Sequence, residues 1–241
     1  MKVILHKSNH RGVADHGWLK SHHTFSFANY HNPKRMGFGV LRVINDDVVA
    51  PSKGFGTHPH QNMEIISVPL KGSLKHKDTM GNKHVIKKGE VQAMSAGTGL
   101  QHSEYNNSNE EEVNFLQIWI LPRKNNVRPS YSQKEFSESN RLNKAQLIVS
   151  PDGREDSVEI NQDAYFSLAK LNKDNKLYYS MYVEGNGVYF FVLDGSFTVN
   201  GELLELRDGL GVENIREVEI SSESDGEILI MEVPMKINGR L

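Results

Sequence analysis

Four side chains in this sequence have the types and spacing to hold a metal ion. His58 and His60 stand two apart in GFGTHPHQNMEIIS, and His102 and Glu104 stand two apart in GLQHSEYN. Side chains alternate along a strand, so each pair projects from one face, with its Cα atoms about 6–7 Å apart. At that separation two imidazoles can converge on one cation at about 2.1 Å. One such pair is weak evidence, because histidines at this spacing occur as readily on a surface or in a core. Two pairs bracketing a hairpin and its turn glycines carry more. Antiparallel pairing in a small barrel would bring the two faces together, giving three imidazoles and one carboxylate. Pro59 points away from the histidines and, with no N–H and a fixed φ, stiffens the start of the strand. Asn62 and Glu64 share the parity of His58 and His60, so Glu64 is expected to face inward as well.

The chain has no cysteine, which excludes disulfides, thiolate ligands, cysteine-held iron–sulfur clusters and thiol nucleophiles. Any metal must be held by nitrogen and oxygen. All 11 histidines lie between positions 6 and 102. Those outside the two pairs take plainer readings. His22 and His23 are consecutive, so at most one can face inward. His76 and His84 flank a Gly-Asn turn beside Asp78 and Lys83 and are expected to be exposed. His6, His10, His16 and His31 lie among polar loop residues, and the acidic run at 110–112 reads as a charged loop.

The elements that must position these residues are strands. Apolar or alternating runs such as GVLRVI, EIISVPL, VNFLQIWIL, AQLIV, VYFFVL and EILIMEV are separated by turn signals DD, KG, GN, DG and NG. No long segment has a 3.6-residue apolar period, although SQKEFSESNRL could form a short connecting helix. The expected fold class is all-β, built from barrels or sandwiches. A polar stretch with two prolines, 122–145, is expected to hold the crossover, 126–145, between a first barrel over 1–125 and a second over 146–241. A weak repeat agrees with that division. VPLKGS and IKKGEV in the first half match FVLDGS and LRDGLG in the second, with turn glycines 17 and 14 residues apart. Setting Gly195 against Gly72 places Met181 and Val183 opposite His58 and His60. Setting Gly209 against Gly89 places Ser222 and Ser224 opposite His102 and Glu104. The second barrel is therefore expected to be metal-free.

Composition bounds the rest. With 241 residues, 37% hydrophobic and 24% charged, the chain is an ordinary globular sequence large enough for two cores. It has no apolar run long enough to span a bilayer and no secretory signal, so a cytoplasmic location without membrane contact is expected. Residues 1–149 carry 20 Lys and Arg against 12 Asp and Glu, and residues 150–241 carry 8 against 18. The basic half would attract a small anion. The basic residues are scattered without a groove or recognition-helix pattern, so no direct nucleic-acid contact is expected.

Beyond these readings, the text resembles a known family. The order HxHxxxE, turn glycine, HxExN resembles the paired motifs of the cupin superfamily. RGVADHGWL, HHTFSFANY, GFGVLRVINDD, GFGTHPHQNMEI, HKDTMGNKHVIKKGE and MSAGTGLQHSEYN resemble pirin-type bicupins over most of residues 10–122. The second half resembles them in architecture alone. That resemblance implies two tandem cupin barrels of the double-stranded β-helix, or jelly-roll, type. It implies that His58, His60, His102 and Glu104 hold one divalent metal, Fe(II) first, with Mn, Co, Ni, Cu and Zn also compatible with the donors. General cupins take their carboxylate from the first motif, which makes Glu64 a rival. Pirin-like members take it from the second, which favours Glu104 and leaves Glu64 to orient a ligand imidazole. Two departures from the cupin pattern are present: seven residues separate Glu64 from Gly72, and SAGTG replaces the usual P-x-G turn. The implied activity is a quercetin 2,3-dioxygenase reaction. A flavonol oxyanion would meet dioxygen at the metal, with Glu104 as the catalytic base and carbon monoxide as a product. The implied alternatives are a metal- or redox-sensing regulator that binds partner proteins, and a closed structural zinc site.

Overall fold

The computed structural model describes residues 1–237 and is built almost wholly from strands. The only helical elements among those residues are three single 3₁₀ turns. Four sheets form two barrels of the same plan, each made of one seven-stranded and one four-stranded sheet. In the first barrel, the large sheet runs in the order Ser130–Glu135, Glu90–Ser95, Glu64–Lys71, Val113–Ile120, Leu41–Val49, Leu19–His23, Gly12–Asp15. The small sheet runs Gly54–His60, Leu100–Asn106, Ser73–Asp78, Lys83–Lys87. The second barrel repeats this order. Its small sheet is Lys176–Ser180, Glu217–Ser222, Phe197–Val199, Glu202–Leu204. This is a tandem bicupin. No helix among the described residues is long and apolar enough to cross a membrane.

Each large sheet borrows its edge strand from outside its own repeat. Lys2–His6 pairs antiparallel with Gly209–Glu213, so the chain's first strand completes the second barrel. Ser130–Glu135 pairs with Glu90–Ser95 and closes the first. The expected crossover at 126–145 therefore contributes a strand, and the helix expected over SQKEFSESNRL is instead that strand followed by the 3₁₀ turn Glu138–Arg141.

The outer faces of the two large sheets pack on each other. Phe38, Ile66, Val68, Ile118 and Ile120 of the first barrel share one buried cluster with Phe166, Leu168, Tyr189, Phe191 and Met231 of the second. His6, expected in a polar loop, is buried at this junction, with its Nδ1 2.8 Å from the Tyr189 hydroxyl and its ring edge-on to Phe25. Burial, reinforced by the nearby charge of Arg35, lowers its pKa to about 4. A histidine lowered in the folded state stabilises the fold fully above its unfolded value of 6.5, and that stability drains away as pH falls toward 4. At pH 5 the loss from His6 should be about 2 kcal/mol. Chemical denaturation at pH 7 and pH 5 should show this drop in the wild type and a smaller one in His6→Gln.

The two barrel interiors differ in kind. The second is mostly hydrocarbon, including Val188, Phe190, Val192, Phe197, Val218, Ile220, Ile228 and Ile230, with one buried carboxyl, Glu232, bonded to Tyr179 and Asn186. The first has two small apolar plugs, one around Leu74, Ile86 and Phe115 and one around Ile65, Met94 and Leu100. Beside the plugs the first barrel buries a set of polar groups that includes Asn45, Asp47, Ser67, His76, Gln92, His102, Glu104 and Gln117. Buried polar groups cost free energy unless they are paired. The second barrel buries fewer such groups, so the cost carried by the first marks its polar set as the candidate site.

Candidate metal centre

The small sheet of the first barrel assembles the centre. Leu100–Asn106 is its hub, paired on one side with Gly54–His60 and on the other with Ser73–Asp78. His102 lies directly opposite His58, while Leu100 lies opposite His60. A bulge between His102 and Glu104 shifts the register, so that Glu104 falls opposite Phe55. The backbones approach closely there. A Cβ on Gly54 would lie 2.2 Å from the Glu104 carbonyl oxygen, so only glycine fits. Alternation along the hub buries Leu100, His102, Glu104 and Asn106 and exposes Gln101 and Tyr105, as the i, i+2 reading requires.

The three imidazoles meet. Ring centroids are 4.9 Å apart for His58 and His60, 4.4 Å for His58 and His102, and 4.9 Å for His60 and His102. One nitrogen from each lies within 4.8 Å of the others. His58 Nδ1 sits 2.8 Å from the Gly56 carbonyl. A carbonyl only accepts, so Nδ1 carries the proton and Nε2 keeps its lone pair for a ligand. His60 Nε2 and both ring nitrogens of His102 are buried without a hydrogen-bond partner. Burial, with the neighbouring imidazoles, holds His60 at a pKa of about 4 and His102 at about 2. Both are neutral donors at any ordinary pH. Orphaned, neutral, converging imidazoles are what a divalent ion needs, and the donor set fits one.

Glu104 approaches from the other side of His102. Its carboxylate groups within 4.8 Å with His102 and with His76, its partner across the adjacent strand. His102 is thus common to two triads, His58–His60–His102 and His76–His102–Glu104. Glu104 is wholly buried, accepting from Ser67 Oγ at 3.2 Å and from Gln117 Nε2 at 2.7 Å. Gln117 is itself held by the Trp119 indole N–H at 3.2 Å. Burial raises the Glu104 pKa to about 7, with Asp47 adding to the rise and the two hydrogen bonds opposing it.

His76 corrects the expectation of exposure. It is 1% exposed, bonded through Nε2 to Asp78 at 3.2 Å, packed on Tyr131, and its Nδ1 is buried with no partner. Its strand was the available signal, since Leu74, His76 and Asp78 face in while Lys75 and Lys77 face out. His84 is exposed and stacks on Tyr131. Of His22 and His23, the second is the buried one, bonded to Asn45 Oδ1 at 2.8 Å. Glu64, expected to face inward, shares the parity of Ile66 and Val68 and faces the junction with the second barrel, where it bonds no imidazole. It accepts from Ser95 Oγ and, at 3.0 Å, from the backbone N–H of Asn161, so it ties the barrels together instead of orienting a ligand.

Strand pairing also revises the alignment of the repeats. His102 opposite His58 corresponds to Val218 opposite Tyr179, and Glu104 opposite His76 corresponds to Ile220 opposite Val199. Met181, whose N–H bonds to the Arg216 carbonyl, matches His60. The turn glycines had placed the first pair two residues too far along and the second four, because loop lengths differ between the copies. Tyr179, Val199, Val218 and Ile220 belong to the apolar core of the second barrel.

A pocket of about 520 Å³ opens beside His58 and His60. Trp18, Phe27, Phe55 and Trp119 form aromatic walls, and Asp47, Asn45 and Gln117 supply polar groups. Sequence reasoning missed all of these, because the walls come from four separate segments.

Residues 5–120 match the family model described as Pirin, and residues 147–233 match the one described as a quercetinase C-terminal cupin domain. A protein named quercetin 2,3-dioxygenase from Escherichia coli strain K12 is 44% identical over 232 residues, 96% of this chain and 99% of its own. A pirin-like protein from Caulobacter vibrioides is 39% identical over 222 residues, 92% of this chain and 95% of its own. Bacterial pirin YhhW from Escherichia coli, solved in complex with nickel(II), matches with a TM-score of 0.92 at 43% identity, covering 98% of this chain and 100% of the other. With one family model on each barrel and near full-length likeness to these relatives, the chain belongs to the pirin family of two-barrel cupins.

Proposed function

We propose that the protein is a metal-dependent dioxygenase that opens the heterocycle of flavonols of the quercetin type. In this reading His58, His60, His102 and Glu104 hold one divalent ion in the first barrel. The observation that carries it is an aromatic-walled pocket of about 520 Å³ with two of the converging imidazoles in its wall. A small planar aromatic molecule suits such walls, and a regulatory surface would not need them. The relatives named quercetin 2,3-dioxygenase point the same way.

Three imidazoles and one carboxylate approximate the facial donor set of non-haem Fe(II) oxygenases, which favours iron, and the same nitrogen and oxygen donors also suit the nickel of YhhW. When bound, such an ion supplies Lewis acidity toward a phenolic oxygen and redox chemistry toward dioxygen. The chain's own residues do the rest. Trp18, Phe27, Phe55 and Trp119 hold the ring system and exclude water. Glu104, its carboxylate fixed by Gln117 and Ser67, takes the proton of the flavonol 3-hydroxyl. In the overall reaction both oxygen atoms of dioxygen enter the products, the heterocycle opens and one ring carbon leaves as carbon monoxide.

Protein loaded with Fe(II) and given quercetin under air should consume oxygen and release carbon monoxide in equal amounts. His58→Ala should abolish both. Unchanged turnover in that variant would place the chemistry elsewhere.

A further inference from the structure

Asp46 and Asp47 are adjacent buried carboxylates with opposite circumstances. Asp46 turns toward the barrel junction, where Arg11, Arg207 and Asn114 all donate to it. Asp47 turns into the pocket and is 2% exposed. Its Oδ1 accepts from Ser21 Oγ, and its Oδ2 receives no donor among the described residues. Among the described residues no Lys, Arg or His forms an ion pair with it, whereas Asp46 has two such partners. A buried carboxyl without a cation is costly, and what fills the pocket, water or a ligand, is the remaining source of a donor.

The surroundings form one polar wall. Asp47 pairs in register with Ser21, and Asn45 pairs with His23 on one side and Gln117 on the other. All five line the pocket, and Trp18, Phe27, Phe55 and Trp119 complete it. The dioxygenase reading gives none of the wall except Gln117 a part in the reaction.

We infer that Asp47, set by Ser21, is the hydroxyl-recognition point of this pocket. It bonds a second hydroxyl of the substrate, away from the oxygen presented to the histidines, and so selects polyhydroxylated aromatic compounds over those with a single hydroxyl. Burial, opposed by the Ser21 bond and reinforced by Asp46, brings Asp47 to a pKa of about 7. A phenolic hydroxyl satisfies either form, donating to the carboxylate or accepting from the acid. An apolar edge at the same place leaves the carboxyl unpaired, which is the stronger source of discrimination.

This inference rests on the pocket being the substrate site, yet it can be tested without turnover. The chain's two tryptophans, Trp18 and Trp119, both line the pocket, so their fluorescence reports its occupancy. The probes are quercetin and 3-hydroxyflavone, which keeps only the hydroxyl offered to the histidines. Wild-type protein should bind quercetin about 10- to 100-fold more tightly. In Asp47→Ala the ratio should fall to about threefold or less, and the isosteric Asp47→Asn, which keeps the cavity filled if the alanine variant does not fold, should give an intermediate ratio. A ratio unchanged in both variants, or no quenching by either probe, overturns the inference. An Asp47-dependent ratio in protein that consumes no oxygen would sustain the recognition point and remove the dioxygenase reading. Turnover with a ratio independent of Asp47 would do the reverse.

Discussion

His102→Val should cost the protein its metal and make the metal-free fold more stable. His102 is 1% exposed with neither ring nitrogen partnered, and it is the member common to both potential ligand triads. Residues that merely support a metal ligand are worth about 10–100-fold in affinity, so loss of this imidazole should weaken binding by at least about 100-fold. The metal-free protein meanwhile bears the cost of a buried unsatisfied ring, about 1–3 kcal/mol. Valine is the residue that the second barrel places at the matching position, where Val218 is fully buried in continuous apolar packing. The substitution therefore removes a buried unpaired ring at a position where this fold already accepts valine, and should raise the chelator-treated melting temperature by a few degrees. Equilibrium dialysis with nickel(II) or Fe(II) and thermal melts in chelator measure the two effects. A variant that melts below wild type in chelator and still binds the ion in dialysis would refute both halves of the argument. The opposed signs would mark the site as one kept for function at the expense of stability.

How far the site could be read from the sequence depends on the range of the information. The convergence of His58, His60 and His102 was legible because alternation is local and each pair lies within one strand. His76 was judged by its neighbours at a polar turn, although the same alternation across Leu74, His76 and Asp78 would have turned it inward. What decides its burial is pairing with Glu104, 28 residues away. The docking of Lys2–His6 on Gly209–Glu213 has no local signal at all, nor has the capture of Glu64 by Asn161. The repeat was visible from its glycines, but its register was not. Turn positions tolerate insertions, and only the hydrogen-bond ladder fixes which residues stand opposite. The aromatic pocket lies furthest from the sequence, because Trp18, Phe27, Phe55 and Trp119 meet only when the two sheets close.

Asp46→Ala should be the most damaging substitution away from the metal centre, at about 3–5 kcal/mol. Asp46 collects Arg11 at 3.2 Å from the segment following the first strand, Asn114 at 2.8 Å from its own barrel, and Arg207 at 3.0 Å from the second. Removing the carboxylate leaves two largely buried guanidinium groups facing each other without an anion, which costs far more than the pair itself contributes. The pH dependence gives the diagnosis. Burial pushes the Asp46 carboxyl up, but Arg207, Asn114 and Arg11 together outweigh it and hold it below its ordinary value of 3.8. A carboxyl depressed in the folded state stabilises above the unfolded value, and the contribution disappears as pH falls through the folded one. The gap between wild type and Asp46→Ala in chemical denaturation should therefore be full at pH 7 and narrow as pH falls below the ordinary value of 3.8. A gap that does not change with pH would assign the loss to packing. The junction also sets the pocket, since Asn45 and Asp47 lie on either side of Asp46 and face the opposite way. A strand released at Asp46 should loosen Asp47 and blunt the selection between quercetin and 3-hydroxyflavone, linking the seam between the barrels to what the first barrel accepts.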